Sequence, residues 1–394
     1  MRLPVAGRME RLGTESAFEV LVRARALEAR GVDVIHLEIG EPDFPTPQHI
    51  VEAGIKALRD GATHYGPPAG LPSLREAVAA DVSASRKITV HPDQVVITPG
   101  GKPVLFFTML AAIEPGDEVL LPDPGFPIYA SLVNFLGGVP VPLTLREEAG
   151  FRLDLDELAA KLTTRSRLLI LNSPHNPCGS ALPADDLRVI ADLVRGRDMV
   201  ILSDEIYSRM TYGGQHSSVA SQPDIAGQTI ILDGFSKTYA MTGWRLGYGV
   251  FPGDFAQRIA LLMTNSNSCT ATFTQIAGLA ALTGPQAPVE EMIAEFERRR
   301  ELVVAGLNRI PGWRCRTPEG AFYAFANVRA FGVDSRHLAD YFLDKAGVAL
   351  LSGGGFGAAG DGYLRLSYAN SRQNLEEAMR RLARATEQWT GPSL

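Results

Sequence analysis

The chain has 394 residues, 45% hydrophobic and 21% charged, with a formal net charge of −6 and a pI near 5.7. That length supports two or three domains around a substantial core, with the balance of an ordinary globular protein. The acidic total argues against nucleic-acid or anionic-membrane partners, while leaving room for a local basic pocket.

Residues 1–13 contain no apolar h-region, so no secretory signal is expected. The longest uncharged apolar stretch, residues 104–113, is about half the length a spanning helix requires. Cys178, Cys269 and Cys315 are odd in number and far apart. They show neither metal-ligand spacing nor a disulfide framework, so reduced thiols and a cytoplasmic location are expected.

In chain order, residues 17–30 have apolar positions at helical spacing and stop at Gly31, a helix terminator. The run VDVIHLEIG then predicts a short strand leading into the Pro-rich loop EPDFPTP. Beyond residue 50, apolar runs at 95–98, 118–122, 167–172, 198–203 and 229–233 alternate with helix-length stretches. This rhythm predicts βαβ units and an α/β fold with a mostly parallel central sheet. Residues 290–310 form a long charged amphipathic pattern of the sort that links domains. The expected division is an N-terminal arm with part of a small domain (1–49), a large domain (50–285), and the rest of the small domain (286–394). The segment GGGFGAAGDG, residues 353–362, reads as a flexible loop.

Four of the strands end in residues with chemistry. After VVIT comes Gly100-Gly101-Lys102 and an apolar helix, where unobstructed backbone N–H groups suit a phosphate. The spacing is not G-x-G-x-x-G, which disfavours a dinucleotide fold and a nicotinamide dehydrogenase. After LILN come Asn172 and Asn176, flanked by prolines that could equally build a turn. VILSDEIY places Asp204 at a strand end with Tyr207 three residues on; capping of a following helix is the plainer account. TIILDGFSK places Lys237 just past a strand, with Arg245 eight residues later. An amine there, desolvated and beside a second cation, has a lowered pKa and suits imine formation, although an isolated lysine on a loop is ordinarily a surface residue.

Taken together, IGEPDFPTP, HYGPPAGLPSLREAV, NSPHNPCG, SDEIY, GFSKTYAMTGWRLGY and YLRLSYA resemble the class I pyridoxal-phosphate aminotransferases of fold type I, the aspartate aminotransferase superfamily. The resemblance spans about residues 14–385. It implies pyridoxal 5′-phosphate as cofactor, held covalently by Lys237, with Asp204 facing the pyridine nitrogen. Tyr207 and Asn176 would bond the ring oxygen. Ser236, Arg245 and the backbone of Gly101 and Lys102 would take the phosphate, and Phe126 would stack on the ring. Arg365 would grip the substrate α-carboxylate near Gly40. Tyr65 would reach the phosphate of a neighbouring subunit, which implies a homodimer.

The implied reaction is a ping-pong transfer of an amino group from an L-amino acid to a 2-oxo acid, with no metal. An enzyme for aspartate or glutamate needs a second cation facing the distal carboxylate. The helix expected to line that pocket begins Glu15, Ser16, Ala17, Phe18, so neutral or apolar amino acids are favoured. A lyase or synthase on the same scaffold, or a dicarboxylate-specific aspartate aminotransferase, is the alternative. A ligand-sensing regulator fused to a DNA-binding module is disfavoured, because only about forty residues precede IGEPDF and the small domain occupies them.

Overall fold

In a computed structural model, which describes residues 3–391, the strands are β1 (Ile35–His36), β2 (Val95–Thr98), β3 (Glu118–Asp123), β4 (Val139–Thr144), β5 (Ser166–Asn172), β6 (Val200–Asp204), β7 (Thr229–Gly234), β8 (Gly247–Val250), β9 (Arg314–Cys315), β10 (Tyr323–Asn327), β11 (Val348–Ala349), β12 (Leu351–Ser352) and β13 (Tyr363–Ser367). Seven form a central sheet in the order β2-β8-β7-β6-β5-β3-β4. Pairings from β4 through β7 are parallel, and β8 runs antiparallel to both β7 and β2. The mostly parallel α/β fold read from the alternation is therefore present.

Near-continuous apolar strands reflect burial on both faces. Leu168 and Ile170 of β5 join Val119, Leu202 and Ile230 under the helices Lys102–Ala112 and Phe255–Ser266. Leu169 and Leu171 face the other way, toward Leu187 and Ile190 of the helix Ala184–Val194. The parallel register sets Asn172 beside Asp204, and Asp204 beside Leu232, so the strand ends lie flush.

Two strands escaped the apolar pattern. β4 carries Pro140 and Pro142, which a strand tolerates at a sheet edge, where an N–H has no neighbour to bond. In β8, Gly247 and Gly249 interrupt the apolar run. A Cβ on Gly247 would meet the carbonyl carbon of Gly100 at 2.6 Å, so glycine is what allows the Gly100-Gly101 backbone to lie against this strand.

A second core is shared by the two chain ends. Ile35 and Leu37 pack with Phe296, Phe322, Phe342 and Leu382, between the helices Ala287–Leu307 and Arg372–Glu387 and the sheet β12-β13-β10-β9. The first helix runs Ser16–Glu28, and Gly31 turns the chain at φ +86°.

The glycine segment 353–362 differs from its reading as a flexible loop. It folds as two short 3-10 helices, Gly353–Phe356 and Ala358–Gly360, with Phe356 buried. The backbone N–H of Ala359 donates to Asp123 Oδ1 at 3.1 Å. A Cβ on Gly357 would lie 2.1 Å from that same oxygen. The glycines serve close packing, a cause that composition cannot separate from mobility.

Candidate active site

The carboxyl ends of β5, β6 and β7 open into a cavity of about 490 Å³, where open α/β sheets bind ligands. Gly40, Gly101, Lys102, Phe126, Asn176, Asp204, Tyr207, Ser236, Lys237, Arg245 and Arg365 all line it. Tyr65 does not; it stands 88% exposed on the surface.

Lys237 follows β7 by three residues, and its Nζ donates to the carbonyl of Gly40. Burial brings its pKa down to about 8; Glu41 opposes that shift, while Arg365 and Arg245 add to it. Asp204 is 5% exposed, and accepts a hydrogen bond from the hydroxyl of Tyr129 at 2.6 Å and one from the N–H of Ile206 at 3.3 Å. Burial raises its pKa to about 6, against the effect of those two donors, with Asp233 and Glu205 adding like charge. No helix follows β6 directly, so Asp204 caps none.

Behind these strand ends lies a buried ion cluster. Arg86 pairs with Glu205 at 3.0 Å and with Asp233, and His216 reaches Glu205 at 2.9 Å. Burial would raise Glu205, but His216 and Arg86 outweigh it and hold its pKa at about 2. The cluster ties the helix Pro72–Arg86 to β6 and β7, and so to Asp204 and Lys237.

Arg245 sits at φ +54° and donates to the carbonyl of Thr242 at 2.7 Å. A Cβ on Gly100 would lie 2.2 Å from its Nη2, so guanidinium and glycine turn share one corner. The helix Lys102–Ala112 begins there, presenting free N–H groups and its positive end. Ser236, 9% exposed, lines the same cavity.

Arg365 on β13 is 4% exposed. It donates to Asn176 Oδ1 at 3.3 Å and to the carbonyl of Glu38, and its Nε is buried without a hydrogen-bond partner. Asn176 is held by its own N–H, which donates to Asn172 Oδ1 at 2.9 Å. Asn172 in turn donates to the carbonyl of Asp204 at 3.1 Å.

Three lining groups were not singled out by motif. Tyr129 binds Asp204, Tyr323 lies 2.7 Å from the hydroxyl of Tyr207, and Phe356 lies under Arg365. Tyr129 lies in the first turn of the helix Ile128–Leu136, its ring edge to face with Phe126 at 5.6 Å. Tyr323 and Phe356 carry no local signal that separates them from core aromatics. Glu15 and Lys102 form an ion pair at the cavity wall, with Nζ of Lys102 also 5.8 Å from the Phe126 ring centre.

Comparison with known proteins agrees with this geometry. Residues 32–382 match the family described as aminotransferase class I and II. The chain is 41% identical to the "Probable aspartate/prephenate aminotransferase" of Aquifex aeolicus, over 98% of this chain and 100% of that one. It is 40% identical to aromatic-amino-acid aminotransferase 2 of Thermococcus litoralis, covering 91% and 94%. The structure of aspartate aminotransferase from Thermus thermophilus with maleate superposes with a TM-score of 0.93 at 37% identity, covering 98% and 100%. The chain therefore belongs to the class I and II aminotransferases, of fold type I. It is an enzyme that moves an amino group between an amino acid and a 2-oxo acid, and its cofactor is pyridoxal 5′-phosphate.

The residues fit that cofactor. The Gly100 corner is a cradle that a Cβ would fill, Asp204 is a buried carboxylate lining the cavity, and Arg365 has an unused buried N–H. Among the described residues no helix is long and apolar enough to cross a membrane.

Proposed function

We propose that this cavity is the transamination site and that neutral or apolar L-amino acids are the preferred donors. The observation that carries the site is the convergence of Lys237, Asp204 and the unpartnered Nε of Arg365 on one cavity.

Pyridoxal phosphate, when bound, supplies the electron sink that makes the substrate Cα–H acidic. The N–H groups of Gly101 and Lys102, with Ser236 and Arg245, would hold its phosphate. The carboxylate of Asp204 would keep a proton on the ring nitrogen, Phe126 would cover the ring, and Asn176 and Tyr207 would bond the ring oxygen. Arg365 takes the α-carboxylate in a bidentate grip beside Gly40. That grip would turn the Cα–H toward Lys237, whose Nζ would accept the proton from Cα and hold it as an ammonium for delivery elsewhere. A pKa of about 8 leaves part of the amine neutral near neutral pH, as a base requires.

The substrate preference rests on Glu15. Lys102 lines the cavity together with the start of the first helix, and Glu15 of that wall already neutralises it. Phe18, 58% exposed at the same wall, adds an apolar surface. A dicarboxylate would have to displace Glu15, at the cost of a charge pair.

The same reading makes the enzyme a homodimer, with Tyr65 crossing to the neighbour's phosphate; its 88% exposure in one chain supports this. It also keeps the division into residues 1–49, 50–285 and 286–394, supported by the core shared between the two chain ends. A cytoplasmic location is in keeping with three free thiols.

An absorbance spectrum of the cofactor-loaded protein before and after aspartate, leucine, phenylalanine and alanine tests the proposal. The absorbance band of the lysine-bound cofactor should bleach with the donor, faster with leucine or phenylalanine than with aspartate. Borohydride labelling of a lysine other than Lys237 would overturn the site, and preferred turnover of aspartate would overturn the specificity.

A further inference from the structure

Tyr323 occupies the junction between two parts of the site. In the antiparallel pair β10–β13, Tyr323 opposes Ser367 and Phe325 opposes Arg365. Tyr323 and Arg365 are thus diagonal neighbours on one face. The guanidinium carbon of Arg365 lies 4.4 Å from the centre of the Tyr323 ring, within cation–π range. At the far end of that ring the hydroxyl lies 2.7 Å from the hydroxyl of Tyr207. The two rings meet edge to face at 5.7 Å. Tyr323 is 1% exposed. Space for its hydroxyl depends on Gly40, where a Cβ would lie 2.1 Å from the Tyr323 oxygen.

A phenol has one proton to give. On the reading above, on which this inference rests, Tyr207 gives its proton to the ring oxygen of the cofactor. The contact between the two hydroxyls then needs Tyr323 as its donor. Burial raises the Tyr323 pKa, while Arg365 opposes that rise and makes the hydroxyl a better donor.

We infer that Tyr323 is a positioning residue with two tasks. Its hydroxyl donates to Tyr207 and so directs the Tyr207 proton at the cofactor, and its ring seats the Arg365 guanidinium for the substrate carboxylate. One side chain thereby links the carboxylate clamp to the cofactor oxygen.

The test is a pH titration of the absorbance band of the lysine-bound cofactor, with KM for the amino donor measured alongside. Hydrogen bonds to the ring oxygen draw off negative charge that otherwise holds the neighbouring imine proton, so their loss raises the pH midpoint. Y207F should raise it most. Y323F, which removes one oxygen and keeps the ring, should raise it by less and change KM by under about twofold. G40A should raise it too, by pushing the same hydroxyl aside from the opposite direction; it keeps the test decisive if Y323F does not fold. Y323L, which also removes the ring, should raise KM by roughly 3- to 30-fold.

A midpoint equal to wild type in Y323F or G40A, or an unshifted Y207F, overturns the hydroxyl task. An unchanged KM in Y323L overturns the ring task. If wild type itself shows no band that K237A abolishes, it is the underlying assignment of the site that fails.

Discussion

The hydroxyl of Tyr129 donates to Oδ2 of Asp204 across 2.6 Å, joining the start of the helix Ile128–Leu136 to the end of β6. The bond favours the charged carboxylate in a place where burial alone disfavours it. In Y129F the carboxylate loses that support. The acid limb of the pH profile for cofactor binding should move up by about one pH unit, and the cofactor Kd should rise roughly tenfold. Fluorescence titration across pH 5–8 measures both. An unmoved limb would show the bond to be incidental.

Asp204 also makes the cofactor-free protein sensitive to pH. Its pKa of about 6 exceeds the ordinary 3.8, so the folded state prefers the neutral acid. Its contribution to stability is most favourable below the ordinary value and is lost as pH rises through about 6, a change of about 3 kcal/mol. D204N, which cannot charge, should therefore be more stable than wild type by up to about 3 kcal/mol at pH 8 without cofactor. The difference should vanish below pH about 4. Comparing the pair removes other titrating groups such as His175, which burial holds at a pKa of about 3. Urea melts at the two pH values decide the matter.

Glu15 neutralises Lys102 at the cavity wall. E15Q leaves that ammonium free for the distal carboxylate of a substrate. The ratio of kcat/KM for aspartate over leucine should rise by up to roughly fivefold, the effect of about 1 kcal/mol from one partly exposed charge contact. A ratio unchanged in steady-state assays would remove Glu15 from any role in selectivity.

Arg365 combines planar donors with a seat between Tyr323 and Phe356, at 4.4 and 5.1 Å from their ring centres. Lysine keeps the charge but loses the fork and the stacking. R365K should raise KM for the amino donor on the order of 100-fold while the cofactor stays bound, as retention of its absorbance band shows. Loss of the band would instead assign Arg365 to holding the cofactor.

Gly357 has φ +130° and no room for a Cβ beside Asp123. G357A should lower the unfolding free energy by about 1–3 kcal/mol through strain and the displaced Asp123 contact. Thermal melts check this; a variant as stable as wild type would mean the segment adapts freely.

Sequence alone established the alternating strands and the polar residues at their ends. Lys237, Asp204, Asn176 and Tyr207 each stand within five residues of a buried apolar run, and local order is enough to bring such residues to one edge of a parallel sheet. β4 and β8 stayed hidden because prolines and glycines break the apolar signal for reasons set by edge position and by the approach of Gly100. The tertiary structure alone decided who meets whom across the chain. Tyr129 reaches Asp204 across 75 positions, and Tyr323 reaches Tyr207 across 116. In sequence both tyrosines look like core aromatics, because what distinguishes them is a hydroxyl partner supplied by a distant strand. The same holds for Glu15 and Lys102, where an acid 87 positions away cancels a charge that composition counts as free.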